Sequence, residues 1–345
     1  MKKVLLILIC VIFLLVPSYA FEIVNIHEHI ESVKEADKLL VAMDANEIAT
    51  VILVGSPRQT LFSGVGFTEY DENNEQILTL VKKYPGRFKA FVTINPRDED
   101  ALEKLKSYMA HGASGVKLYS GHTIFVDLPL NYSGMDPVYA YIEKEQIPLI
   151  WHVNPADLQD QFEDVLTRYP TMKVLCPHYC LSSINESRFR YLMDTYPQLY
   201  TDISFGFDPF AQAGFKRVSR NTTKFVEIFT DYQDRILFGT DNVITSNPKK
   251  TVDWITDFGR CYRDMLEKST FDCAVVNSTG LNGLSLDDSI LEKVYERNAE
   301  RFLTEKSSAV KVDMFGQHYF KMLGLFLLIF LVMLLLKVKE NPALK

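Results

Sequence analysis

Residues 23–29 read Ile-Val-Asn-Ile-His-Glu-His, an apolar run that ends in two histidines separated by one residue. Three later apolar runs also end in a side chain that can bind a metal ion, namely His152, His178 and Asp241. In a parallel β/α barrel, the C-terminal ends of the strands meet on the face that carries the chemistry. Four strand ends that lie far apart in the sequence are therefore predicted to meet around one site.

The rest of the chain continues this alternation of apolar strands and amphipathic helices. The eight predicted strands cover residues 22–29, 50–56, 88–95, 115–120, 147–153, 172–178, 199–205 and 235–240. Nearly continuous apolar strands are typical of a parallel sheet that is covered on both faces. The predicted fold class is α/β, a (β/α)8 TIM barrel over residues 21–306. Two long loops, 57–71 and 121–135, would lie above its C-terminal face.

The side chains at these strand ends have the chemistry of metal ligands. His27 and His29 lie two apart on a strand, so both side chains point to one face. Imidazole nitrogens and carboxylate oxygens bind zinc and similar divalent ions. The predicted ligands are His27, His29, His152 and Asp241, with His178 beside His152. Each motif alone also fits ordinary packing or a helix cap, so the prediction depends on all four strand ends together.

Six segments resemble the amidohydrolase superfamily, in the branch that includes aminocarboxymuconate-semialdehyde decarboxylase. They are Val-Asn-Ile-His-Glu-His (24–29), Gly-Val-Lys-Leu-Tyr (115–119), Leu-Ile-Trp-His-Val-Asn (149–154), Val-Leu-Cys-Pro-His (174–178), Arg-Ile-Leu-Phe-Gly-Thr-Asp (235–241) and Asn-Ala-Glu-Arg-Phe-Leu (298–303). The resemblance extends over residues 22–304 and implies the same four metal ligands. It also implies that His178 is the acid/base group and that Asp241 doubles as a general base.

Lys117, at the end of the fourth predicted strand, bears on the number of metal ions. In binuclear relatives a carbamylated lysine at this place bridges two ions, and His152 and His178 then bind the second. The alternative is an ammonium group that meets a substrate carboxylate or an acidic neighbour. The Gly-Val-Lys-Leu pattern also occurs in mononuclear relatives. One divalent ion per chain, zinc above others, is therefore favoured, and two are expected only if Lys117 is carbamylated.

Three further side chains are candidates for substrate binding: Arg58, Tyr119 and His122. Arg58 and Tyr119 fit a loop or packing role equally well. His122 follows the fourth predicted strand, where it would line the pocket. Asp202 ends the seventh predicted strand, and we expect it to brace the barrel rather than to bind metal.

The cysteines fall into two groups. Cys176 and Cys180 flank His178 at even spacing, so in a strand all three side chains would point the same way. A soft metal site or redox pair and simple apolar packing are both compatible with this spacing. Cys261 and Cys273 lie late in the chain and would close a short loop as a disulfide. The pairing of the cysteines is not determined by the sequence.

Both ends of the chain are apolar. Residues 1–20 have a basic start, an apolar core and a small-x-small site, which is typical of a signal peptide. Near the other end, residues 319–338 are predicted to form a transmembrane helix, between a stalk (307–318) and a cytoplasmic tail (339–345). These features predict a single-pass membrane protein with its catalytic domain outside the cytoplasm. The formal net charge is −7, and no basic stripe favours nucleic acid as a partner.

These features together predict a metal-dependent hydrolase that acts on an amide, ester or lactone-like bond of a small molecule. The first alternative is a non-oxidative decarboxylase of a small carboxylic acid, because the resemblance implies the same ligand set for both reactions. The second alternative belongs to another class, a surface binding module that has kept the barrel and lost its activity. The sequence is compatible with a homo-oligomer. It does not specify the substrate, because the loops determine substrate choice.

Overall fold

The computed structural model describes residues 21–62, 66–122, 125 and 128–306. Nine parallel strands form one sheet in the order β8-β7-β6-β5-β4-β3-β2-β1-β9. They are β1 (Ile23–Ile30), β2 (Ile48–Val54), β3 (Phe88–Thr93), β4 (Gly115–Gly121), β5 (Leu149–Val153), β6 (Val174–Leu175), β7 (Leu199–Asp202), β8 (Ile236–Leu237) and β9 (Asn242–Ile244). A separate antiparallel pair is formed by β10 (Thr270–Cys273) and β11 (Ser278–Asn282).

The two ends of the parallel sheet meet, because β8 and β9 are two halves of one interrupted strand. β8 pairs with β7, whereas β9 pairs with β1. Between the two halves, the Ile26 amide donates to the Phe238 carbonyl at 2.9 Å, and the Asp241 amide donates to the His27 carbonyl at 2.8 Å. The sheet is consistent with the predicted TIM barrel, and its closure puts Asp241 beside β1.

Helices cover the outside of the sheet. They are α1 (Ala36–Ala45), α2 (Arg58–Phe62), α3 (Tyr70–Lys83), α4 (Ala101–Ala110), α5 (Asp136–Glu145), α6 (Pro155–Arg168), α7 (Glu186–Thr195), α8 (Asp208–Arg220), α9 (Thr222–Asp231), α10 (Val252–Glu267), α11 (Asp288–Glu292) and α12 (Asn298–Thr304). A π-helical turn, Lys293–Arg297, joins the last two. The segment after β7 forms two consecutive helices, α8 and α9.

The period-two pattern of the strands divides the core into an inner and an outer layer. Along β2, for example, Ile52 and Val54 pack inside the barrel, whereas Val51 and Leu53 pack outward against the helices. The inner layer takes buried side chains from seven of the strands, and Phe302 of α12 packs against it. Burial of apolar surface contributes about 25 cal/mol per Å² to the free energy of folding. These two layers are therefore the main source of stability. The rigid barrel therefore fixes the strand ends that carry the candidate site.

The sixth predicted strand ends earlier than the sequence suggests. β6 stops at Leu175, and the following segment, Pro177–Cys180, is a tight turn in which His178 has a φ of 62°. Pro177 has no N–H with which to continue a ladder. The prediction that Cys176, His178 and Cys180 lie on one face of a strand is therefore wrong. Cys176 and Cys180 instead form a disulfide across the turn.

The helices that the structure describes contradict the predicted membrane attachment. Among the residues that the structure describes, no helix is long and apolar enough to cross a bilayer. The predicted signal peptide (1–20), stalk (307–318), transmembrane helix (319–338) and tail (339–345) all lie outside the described residues. The predicted transmembrane element of the fold is therefore wrong. The same holds for the membrane as a partner and for the predicted placement of the catalytic domain outside the cytoplasm.

Candidate metal centre

Two histidines of β1 and one aspartate beside it bring their ligand atoms together. His27 Nε2 lies 3.1 Å from Asp241 Oδ1, and His29 Nε2 lies 2.8 Å from the same oxygen. Both histidines are buried. The three residues offer ligand atoms that all lie within 4.8 Å of one another. They are three of the four ligands predicted from the sequence.

The far side of each ring is held by a hydrogen-bond partner. His27 Nδ1 lies 2.9 Å from Asp202 Oδ2, and His29 Nδ1 lies 2.7 Å from Ser56 Oγ. Metal-binding histidines in proteins usually have such a partner at the second nitrogen, which fixes the ring and its tautomer. Both Nε2 atoms are thereby directed to the centre of the site.

The charge states of the three residues also suit a cation. Burial lowers the pKa of His27 to about 4, and the charge of Lys117 acts in the same direction. Burial likewise lowers the pKa of His29. Burial would raise the pKa of Asp241, but its histidine neighbours outweigh this effect and hold the pKa well below the usual range. Two neutral imidazoles and one carboxylate therefore face each other, a donor set that fits a divalent ion such as zinc or manganese.

His178 approaches the same carboxylate from the other side. Its Nε2 lies 3.6 Å from Asp241 Oδ2, while its Nδ1 lies 2.8 Å from Ser204 Oγ. The His178 amide donates to Asp202 Oδ1 at 2.9 Å. The structure therefore brings His178 to Asp241 as the sequence predicts, with both its backbone and its ring held.

His152, the fourth predicted ligand, lies beside His178 rather than in the close group of three. Its ring centroid is 4.9 Å from that of His178 and 4.3 Å from that of His122. Burial lowers the pKa of His152 well below its ordinary value. His152 is thus a neutral imidazole on the rim of the group formed by His27, His29 and Asp241.

Lys117 is buried at the centre of the site. Its Nζ lies 2.9 Å from His27 Nε2 and 5.1 Å from the centre of the Tyr119 ring. Burial lowers the pKa of Lys117 to about 8, although the charges of Asp241 and Asp202 oppose the shift. A fraction of the amine is therefore neutral near pH 7, which is the form that reacts with carbon dioxide.

Aromatic side chains from β4 and from the two long loops form a wall next to this group. The rings of Phe67, Tyr119 and Phe125 lie 5.2 to 5.9 Å from one another. His122 continues the wall, with its ring 5.5 Å from Phe125 and 4.3 Å from His152. The Tyr119 hydroxyl donates to the Gly55 carbonyl at 2.9 Å. Tyr119 and His122, two predicted substrate-binding residues, therefore lie near the metal ligands.

Arg58, the third predicted substrate-binding residue, is placed differently. It begins α2, is about half exposed and pairs with Glu69 at 3.0 Å. Its guanidinium also lies 5.3 Å from the ring of Phe62. These contacts stay within its own loop region, and they fit the alternative interpretation of a solvated loop residue.

Four further residues hold the ligands in place, namely Asp202, Glu28, Ser56 and Ser204. Asp202 was expected only to brace the barrel, yet it contacts His27, the His178 amide and the Ser204 hydroxyl. Glu28 accepts hydrogen bonds from Asn25 and Thr240, and burial raises its pKa to about 8. Ser56 and Ser204 each contact a histidine. The sequence signal that could have identified Ser56 and Ser204 is their position shortly after the ends of β2 and β7.

We expect Asp202→Asn to weaken metal binding by about 10- to 100-fold. Asp202 Oδ1 accepts from the amides of His178 and Ser204, so the new amide NH₂ would face His27 Nδ1. His27 would then carry its proton on Nε2 and lose the lone pair that faces Asp241. Calorimetric titration with Mn²⁺ measures the change. Asp194→Asn, which removes a carboxylate that binds Tyr232 on the outside of the barrel, is the control. Equal affinities in the two variants would refute this role.

A second prediction concerns Gly206, which has a φ of +72°. A Cβ atom here would lie 2.6 Å from Asp241 Oδ2, so Gly206→Ala should displace the carboxylate and weaken Mn²⁺ binding by at least about tenfold. Gly86→Ala is the matched control, because Gly86 has a φ of +84° and nothing within 4 Å of such an atom. Both variants should lose about 1 kcal/mol of stability from backbone strain. Similar metal affinities in both would contradict the proposed contact.

A family model described as Amidohydrolase matches residues 53–304, and the chain belongs to this amidohydrolase family. Members of the amidohydrolase superfamily bind a divalent metal ion, in agreement with the group that His27, His29 and Asp241 form. The matched stretch begins after β1, so the His27–His29 pair lies outside it. No curated protein gives a significant match.

Many solved structures share the fold. One is a probable 2-pyrone-4,6-dicarboxylic acid hydrolase from Acinetobacter baumannii, with 15% identity, a TM-score of 0.55, and 82% of this chain and 99% of that chain covered. Another is 2,6-dihydroxybenzoate decarboxylase from Rhizobium, with 16% identity, a TM-score of 0.52 and coverage of 82% and 98%. A third is 5-carboxyvanillate decarboxylase from Novosphingobium aromaticivorans, complexed with manganese, with 13% identity, a TM-score of 0.51 and coverage of 84% and 97%. At sequence identities this low, the structural likeness to these proteins shows a shared fold alone.

Proposed function

We propose that the protein is a metal-dependent hydrolase that acts with a metal-activated water on an amide, ester or lactone-like bond of a small molecule. The main support is the convergence of His27 Nε2 and His29 Nε2 on Asp241 Oδ1, at 3.1 and 2.8 Å. A divalent ion, when bound, lowers the pKa of a water ligand toward ~7 and polarises a carbonyl. We propose zinc as the ion and one ion per chain.

Asp241 and His178 are the proposed acid/base residues. One oxygen of Asp241 faces the two histidines of β1, and the other lies 3.6 Å from His178 Nε2. The same carboxylate can therefore hold the ion with Oδ1 and accept a proton on the side of His178. Ser204 contacts the ring of His178 and Asp202 accepts from its backbone amide, so both orient the imidazole. A proton can then pass between His178 and a group bound beside it and Asp241. His152, next to His178, is the proposed fourth ligand.

Lys117 has two proposed roles, and metal stoichiometry separates them. As an amine it would hold a substrate carboxylate or carbonyl beside His27. As a carbamate it would bridge two ions, with His152 and His178 as ligands of the second. The carbamate forms from the neutral amine, and the pKa of about 8 makes that form accessible. We favour the amine, because the compact group of ligand atoms among the residues that the structure describes comprises His27, His29 and Asp241.

The second candidate function is non-oxidative decarboxylation of a small carboxylic acid. The observation that favours it is the aromatic wall of Phe67, Tyr119 and Phe125, which suits a flat aromatic or conjugated substrate. Two of the solved proteins with this fold are named as decarboxylases of aromatic acids. In this reaction His178 would deliver a proton to the carbon that loses carbon dioxide.

The two candidate reactions differ in their products. The metal-loaded full chain would be incubated with a panel of lactones, esters, amides and aromatic carboxylic acids, and the products weighed by mass spectrometry. Gain of one water by a lactone, ester or amide supports the hydrolase. Loss of one carbon dioxide without uptake of water supports the decarboxylase. A metal-loaded chain that binds panel members without converting any of them would contradict both proposals and favour a binding module.

A further inference from the structure

The turn that carries His178 has an unusual backbone. His178, Tyr179, Cys180 and Leu181 have φ values of 62°, 54°, 50° and 46°, and none of them is glycine. Residues with side chains adopt this left-handed conformation rarely, and then mostly one at a time. Four in succession will persist only where the surroundings over-determine the conformation.

A disulfide spans this turn. Cys176 follows the last residue of β6, Cys180 lies inside the turn, and their Cα atoms are 4.7 Å apart. Both cysteines are buried. The bond therefore ties the left-handed segment directly to the end of a barrel strand, at two residues on either side of His178.

Hydrogen bonds to β7 complete the attachment of the turn. The His178 amide donates to Asp202 Oδ1 at 2.9 Å, and the Cys180 amide donates to Thr201 Oγ1 at 3.1 Å. Opposite them, the His178 ring contacts Ser204 at 2.8 Å and lies 3.6 Å from Asp241. The position of the imidazole thus follows from the conformation of the turn.

The second disulfide of the described chain provides a contrast. Cys261 of α10 is joined to Cys273 of β10, with Cα atoms 5.3 Å apart. Neither residue adjoins a residue of the metal centre in the sequence, and β10 belongs to the separate antiparallel pair. It is therefore a natural control for any general loss of stability that follows the removal of a disulfide.

We propose that Cys176 and Cys180 are positioning residues of the site, and that their disulfide holds the left-handed turn that presents His178 to Asp241. The inference rests on the proposed function, because it concerns the proposed acid/base residue. Reduction by a dithiol, which supplies two electrons and two protons and is itself oxidised to a disulfide, would leave two thiols. The turn would then relax toward the right-handed conformation, and His178 would move away from Asp241.

The first test compares Cys176→Ala/Cys180→Ala with Cys261→Ala/Cys273→Ala in the full chain without metal. Histidine-selective NMR reports the His178 resonance, which is assigned by its absence in His178→Gln. We expect the resonance to shift in the Cys176/Cys180 variant and to stay in place in the control. An unshifted resonance in a folded Cys176/Cys180 variant would overturn the proposal.

A kinetic measurement distinguishes a disulfide that positions His178 from one that only stabilises the folded chain. On a substrate found in the panel, loss of the Cys176–Cys180 disulfide should lower kcat by about 100-fold, as expected for a misplaced catalytic group. KM and Mn²⁺ affinity should change little, because His27, His29 and Asp241 lie on β1 and beside it. An unchanged kcat in a folded, metal-loaded variant would argue against the proposal. If instead the wild-type chain binds no metal, the proposed function fails, while the NMR comparison still tests the disulfide.

If the Cys176/Cys180 variant does not fold, the test is reduction of the Cys261→Ala/Cys273→Ala chain with dithiothreitol. Of the two described disulfides, this chain retains the one between Cys176 and Cys180. Mass spectrometry after alkylation confirms that both remaining sulfurs are thiols, and circular dichroism confirms the fold. A shifted His178 resonance that returns on reoxidation supports the proposal. An unshifted resonance in the fully reduced, folded chain contradicts it.

Discussion

A chain in which His27 and His29 are both replaced by alanine is expected to lose its divalent ion. The two imidazoles supply two of the three ligand atoms that meet at the centre of the site. Loss of an orienting partner alone typically costs 10- to 100-fold in affinity, so loss of two ligands should cost more than about 100-fold. Elemental mass spectrometry of the purified chain, with calorimetric titration of Mn²⁺, measures the effect.

The control for this variant is His111→Ala, which removes an exposed histidine that caps α4. It should bind metal as the wild-type chain does. Circular dichroism must show that the double variant is folded, because the change removes the contacts that His27 and His29 make with Asp202 and Asp241. A folded double variant with wild-type metal content would place the metal elsewhere and refute the site.

The second large effect is expected at His178. In His178→Gln the metal content should stay near that of the wild type, since the group of His27, His29 and Asp241 remains intact. Turnover should fall by about 10²- to 10⁴-fold, the usual contribution of a general acid or base. The combination of retained metal and lost kcat distinguishes an acid/base residue from a ligand.

His111→Gln again serves as the control, and the comparison requires a substrate from the panel. A His178→Gln chain that loses its metal would make His178 a ligand, as in the two-ion alternative with Lys117. A variant with retained metal and unchanged kcat would remove His178 from the mechanism.

The sequence predicted the barrel and the convergence of the strand ends because both follow from simple periodicities. His27 and His29 share a face because side chains alternate along β1. Asp241 lies beside them because the last strand of a closed barrel pairs with the first, and the broken strand β8–β9 makes that pairing. These are consequences of topology, which an alternating pattern of strands and helices encodes.

Other features depend on contacts through space that no local pattern encodes. The left-handed turn at His178 contains no glycine, so the usual sequence signal for positive φ is absent. The contact between Asp202 and His27 joins residues 175 positions apart. A terminal aspartate on a strand is compatible with a brace, a ligand or an orienting group, and only the geometry distinguishes them.

The metal content of the purified full chain, measured by elemental mass spectrometry, tests the proposed metal centre most directly. We expect about one zinc, manganese or iron per chain, lost with His27 and His29 and retained without His178. About two ions per chain would instead favour a carbamate at Lys117. A chain that contains no divalent metal, and regains none when metal is added back, would contradict both the hydrolase and the decarboxylase and leave the binding module.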